Sequence, residues 1–216
     1  MAMTWKLGTQ GNEATLELRD TDQPAKAVKD LLAEINGLKA ARLLVTLNSA
    51  ACSPEAGLEI YAALRRWPGR VVTYTTFAAN GGVLVALAAD AENRLVSGGA
   101  VIVLQPGTIW KIAGIDDIAR SLRSSAAATA GVLADRVGRW DAQTWDVACA
   151  RQVSFDAENA VYNGLASAIV SEAEAQRWDG AKSQAPRPRA TARPREAQVL
   201  AKVGDRLLTV EDTRDT

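Results

Sequence analysis

The side chains able to do chemistry in this chain are few and lie far apart. Ser49, Cys52 and Ser53 flank the start of a proline-led segment, and Asn80 sits in the small-residue run F-A-A-N-G-G over 77–82. Lys111 is a candidate partner for a serine, and Asp116 and Asp117 form an adjacent carboxylate pair. The 216 residues include no histidine. A serine or cysteine nucleophile is usually activated by imidazole, the one side chain whose unperturbed charge change lies near neutrality. That leaves carboxylate, lysine or serine–lysine chemistry, or none.

Each candidate also has a plainer role. Asn80 is a poor nucleophile, and asparagine is common in turns with unusual backbone angles. Cys52 precedes a helix, where a thiolate is stabilised, but a small buried thiol without a nearby base is inert. Ser49 and Ser53 are placed to cap a helix. Asp116 and Asp117 point apart on a helix and suit the positive end of its dipole. Two cysteines distant in sequence, Cys52 and Cys149, make neither a zinc site nor a disulfide framework. No cofactor or metal is called for, and a reducing cytoplasm is the expected setting.

The elements that must position these residues follow from periodicity. Residues 4–7 and 14–18 read as strands around a polar break over 8–12. Pro24 opens a helix over 24–38, residues 42–47 form an apolar strand, 48–53 a polar turn, and Pro54 heads a helix over 54–66. A strand over 70–77, a turn over 78–82 and a buried helix over 82–89 repeat the unit. Short strands over 94–96 and 100–104, a long helix over 116–140, helices over 141–151 and 156–164, and a strand over 166–170 complete an α/β domain with a largely parallel sheet. The stretch 181–196 holds three prolines and five basic residues and reads as a linker. Residues 199–210 then suggest a β-hairpin, with a short helix as the competing reading.

The motifs form an ordered set. L-N-S-A-A-C-S over 47–53 with the helix after it, F-A-A-N-G-G over 77–82, I-V-L-Q-P over 102–106, the 116–140 helix with R-V-G-R-W-D-A-Q-T-W over 136–145, F-D-A-E-N-A-V-Y-N-G-L over 155–165 and A-S-A-I-V over 166–170 occur in register. Over 43–170 this order resembles the ClpP peptidase family and, within it, the head-maturation peptidases of tailed phages. The resemblance implies a ClpP/crotonase-like fold of stacked β-β-α units with a projecting handle helix, as a domain over 1–175, a linker over 176–198 and a tail over 199–216. It places the nucleophile position on Asn80, the histidine on Leu104, the acid at or near Gln152, and the oxyanion-hole glycines on Ala51 and Cys52. No catalytic residue is expected at these degenerate positions.

The implied role is an inactive, oligomeric structural or regulatory subunit. It would form a ring, stack through the 116–140 helix, and have an active ClpP-like paralogue or phage capsid proteins as partners. Trp140 and Trp145, near the end of that helix, are candidate interface anchors. Two alternatives stay open: an active hydrolase using Ser49, Ser53 or Cys52, and a crotonase-type acyl-CoA enzyme. Lys+Arg and Asp+Glu each number 25, so no overall field favours nucleic acid or anionic lipid. No run suits a membrane span, and the N-terminus lacks the apolar stretch of a signal peptide.

Overall fold

A computed structural model of the chain describes residues 2–21, 28–48, 50–104, 115–179, 199–203 and 206–209. Ser49, Lys111 and almost all of the proline-rich linker lie outside them. The first hairpin joins β1 (Ala2–Gln10) to β2 (Glu13–Thr21) antiparallel. The expected break over 8–12 shrinks to Gly11 and Asn12, with Gly11 at φ 59° supplying the left-handed turn residue. After α1 (Val28–Gly37) come β3 (Arg42–Asn48) and β4 (Ala50–Cys52), then α2 (Pro54–Arg66), capped by Ser53. The polar turn expected over 48–53 thus contains a strand. Its small residues pair with the far half of β5 (Arg70–Asn80), which satisfies backbone groups that a turn would leave to water.

Two further expectations are corrected at the next step. β5 runs on through Ala78 and Ala79 to Asn80, and α3 (Gly81–Ala86) begins at the next residue, so no loop occupies 78–82. The strands expected over 94–96 and 100–104 are one, β6 (Arg94–Val103). Its pairing with β5 shifts between Thr75↔Val96 and Phe77↔Val101, which absorbs the glycine pair Gly98–Gly99. The remaining elements are α4 (Ile115–Val137), α5 (Ala142–Ala150), β7 (Ser154–Asp156), α6 (Ala157–Tyr162), β8 (Ala168–Ile169), α7 (Glu172–Gln176), β9 (Val199–Val203) and β10 (Arg206–Thr209). β7 and α7 carry too few residues for a periodic signal.

The register divides the sheet into two sections. β3 follows the first half of β5 and β4 its second half; β8 joins the first half of β6 in parallel, and β7 its second half antiparallel. The inner pairings β2–β3, β3–β5 and β5–β6 are all parallel, as two-sided burial of Leu43, Leu44 and Val45 requires. One core, with Leu16, Leu18, Val45, Ile60 and Leu64, lies under α1 and α2. A second, with Ile102, Leu133, Trp145 and Phe155, lies under α4, α5 and α6.

Trp145 is fully buried, and its ring centroid stands 4.4 Å from that of Trp140 and 6.4 Å from that of Phe155. The two tryptophans read as interface anchors therefore hold this core together, because α5 folds back across the end of α4. On the opposite face, Arg42 donates to the Ala175 carbonyl at 2.8 Å and Arg70 to that of Asp179, tying down the segment around α7. Among the described residues no helix is long and apolar enough to cross a membrane.

Candidate functional site at the start of α3

Asn80 joins a strand to a helix with no intervening residue, and its backbone records the cost. Its φ of 50° and ψ of −123° are those of the first central residue of a type II′ turn, a region that L-residues other than glycine rarely adopt. Strain of this kind costs about 1–3 kcal/mol and persists only where the surroundings impose it. Here β4 fixes one side by pairing Cys52 with Asn80, and the wholly buried α3 fixes the other.

Two glycines permit the closure. A Cβ on Gly81 would lie 2.2 Å from the Ser53 oxygen and 2.8 Å from Cys52 Sγ, and one on Gly57 would lie 2.3 Å from the Gly81 Cα. Backbone thus touches backbone where α2 crosses α3, and only glycine fits. The Asn80 side chain makes no capping bond, and its Oδ1 is buried without a hydrogen-bond donor among the described residues.

The other positions singled out in the sequence converge on the same strand ends. Ala51 is paired with Ala79, Cys52 with Asn80, and Ala79 with Val103, so Leu104 follows directly beside the turn. Leu104 is 2% exposed, and its amide donates to the Val153 carbonyl at 2.8 Å. That bond brings Gln152 to the cluster. Gln152 takes φ 54° as the residue that ends α5: its amide donates to Cys149 and that of Val153 to Ala148, the Schellman pattern usually completed by glycine. Its side chain points to solvent. The backbone pairings therefore set Ala51, Cys52, Asn80 and Leu104 at neighbouring strand ends, while Gln152 is joined to them only through the Leu104–Val153 bond next to it and turns its side chain outward.

The remaining candidates are spent elsewhere or lie apart. Ser53 Oγ accepts from the Ala56 amide at 3.2 Å as the cap of α2. Cys52 is 8% exposed, and neither cysteine is disulfide-bonded. Burial, with a smaller push from the Asp146 charge, raises the Cys149 thiol to about 12, so it stays protonated at neutral pH. Asp116 and Asp117 fall in the first turn of α4. No group of His, Cys, Asp and Glu among the described residues is arranged to hold a metal ion.

Sequence reasoning missed the opposite end of α3. Arg94, 3% exposed, donates from Nε to the Ala89 carbonyl at 3.0 Å and from Nη1 to that of Arg136 at 3.0 Å. Arg136 returns Nη2 to Ala89 at 2.7 Å and Nε to Leu87 at 3.3 Å. Burial first, then the charge of Arg136, lowers Arg94 to about 10, and it remains a cation at neutral pH. Asp90 pairs with Arg65 at 2.8 Å and Arg136 at 3.4 Å, and the hydrogen bond from Arg65 holds its carboxyl below the usual range. Isolated arginines in a sequence carry no sign that they will meet, so no pattern announced this cluster.

ClpP1 from Listeria monocytogenes superposes with a TM-score of 0.57 at 18% identity, covering 67% of this chain and 84% of that one. A point mutant of the same protein gives a TM-score of 0.60 at 17% identity, covering 68% and 86%. These likenesses establish the shared fold. No curated protein sequence matches significantly. The family profile described as Clp protease matches residues 17–173, from β2 to the start of α7, and on that match the chain belongs to the Clp protease family.

Proposed function

We propose that this chain is a catalytically silent Clp protease family member that serves as an oligomeric structural or regulatory subunit. One observation carries the reading. The strained turn that would present a nucleophile carries Asn80 next to Leu104, in a chain with no histidine. An amide neither attacks a carbonyl readily nor shuttles protons near neutrality. The oxyanion-hole positions carry side chains at Ala51 and Cys52, where unobstructed amides would serve best.

Retention of a costly backbone without the chemistry fits a role in which shape matters. The subunit would join a ring of its own copies or one shared with an active ClpP-like paralogue; in a phage setting the partners would be capsid proteins. No cofactor is needed, the cytoplasm is the expected location, and the domain would end near residue 175 with the linker and tail beyond it.

The test pairs a fluorophosphonate with iodoacetamide on the folded protein. Neither reagent should label it, because Ser53 is engaged as a cap and Cys149 is held protonated. Stoichiometric labelling of Ser49, Ser53 or Cys52 would favour an active hydrolase instead. Light scattering should give a multiple of 22.9 kDa, and a single-chain mass would remove the assembly role.

A further inference from the structure

The chain contains three Asn-Gly pairs, at 36–37, 80–81 and 163–164, and their backbones differ. Asn-Gly is the sequence in which the following amide nitrogen, unshielded by a side chain, can attack the asparagine Cγ. The five-membered ring so formed contains the Asn Cβ and that nitrogen, so the two must eclipse each other about the Cα–C bond. In an L-residue Cβ stands about 120° from the backbone nitrogen around that bond, so eclipsing requires ψ close to −120°. Asn80 is held at −123°.

The other two pairs are set against closure. Asn163 has ψ 0°, which leaves the Gly164 nitrogen a third of a turn from Cβ, and its Nδ2 is bound to the Asn159 carbonyl at 2.8 Å. Asn36 lies within α1, where ψ near −42° is about 80° from the required angle. At Asn80 the amide oxygen has no hydrogen-bond donor among the described residues to hold the side chain away. Rotation about χ1 is then the main motion that remains.

We propose that Asn80–Gly81 is a self-modification site: the strained turn favours succinimide formation and hydrolytic conversion of Asn80 to aspartate or isoaspartate. The Gly81 nitrogen forms a bond to Asn80 Cγ as the bond from Cγ to the side-chain nitrogen breaks. The proton of the Gly81 amide leaves with that nitrogen as ammonia. Water then opens the ring at either carbonyl and restores an amide, leaving one new carboxylate and no change in oxidation state. Asn80 is only partly buried, so water can reach it. Opening toward isoaspartate adds a methylene to the main chain at the junction of β5 and α3, while opening toward aspartate places a negative charge beside Cys52. The inference rests on backbone geometry and holds whether or not the site cleaves peptides.

Peptide mapping of the folded full-length chain, aged at mildly alkaline pH, reads the conversion as a mass gain of about 1 Da at each asparagine. Asn80 is expected to convert about tenfold faster than Asn36 or Asn163, the scale that fixing one reactive torsion supplies. In the urea-unfolded chain this preference should vanish. Hydroxylamine, which cleaves at a succinimide, should cut the folded chain between residues 80 and 81, and N80Q, whose amide would need a six-membered ring, should resist. Conversion of Asn80 no faster than Asn36 in the folded protein, or a preference that survives unfolding, would overturn the proposal.

Discussion

The two ends of α3 follow opposite rules. At its far end Arg65, Arg94 and Arg136 meet Asp90 and the chain that follows the helix, and the carbonyls of Leu87 and Ala89 are bound by guanidinium groups. At its near end Asn80 holds a disfavoured backbone, makes no cap and buries an oxygen without a donor. A fold selected for stability alone would treat both ends like the first, because a buried polar group left unpaired costs about 1–3 kcal/mol. The near end instead holds a strained backbone, and strain of that kind clusters at functional sites.

Substitutions at the two ends should separate these rules. The largest effect is expected at Gly81 or Gly57, where alanine drives a methyl into backbone and should cost about 3 kcal/mol, read as a lower urea midpoint. Near-normal stability would mean that the turn is looser than its contacts imply. Next is Arg94→Met, which removes two buried hydrogen bonds and should cost about 2 kcal/mol, with no effect on labelling at the near end. Asn80→Gly should move the other way. Relief of the strained φ outweighs glycine's added freedom in the unfolded chain, for a gain of about 1 kcal/mol. A loss there would show that the Asn80 side chain makes a contribution of its own.

The smallest effect concerns Asp90. Its folded-state pKa is depressed, so its contribution is present above the ordinary carboxylate range and is lost as pH falls through the folded value. The side chain is 60% exposed and screened, so Asp90→Asn should cost only about 0.5 kcal/mol at pH 7. That difference should fade in acid and in high salt.

Legibility in the sequence divides along the same line. The parallel core was readable because Leu43, Leu44 and Val45 are a continuous apolar run, and α2 because Ser53 and Pro54 mark its start. The placement of Leu104 next to the Asn80 turn is set by the register of β5 with β6, which the order of the motifs alone does not encode. The strand β4 was hidden because its residues are small and its partner is the far half of β5, a pairing that no local period encodes. Trp145 was misjudged since the return of α5 across α4 is a tertiary event. The angles of Asn80 were foreshadowed by its residue type, common in turns with unusual backbone angles, and by the two glycines after it.

Hydrolysis of peptides by the purified chain, alongside N80A, C52A and S53A, tests the central claim most directly. The account expects no turnover above the uncatalysed rate and no difference among the four proteins. Turnover that one of these substitutions abolishes would contradict it.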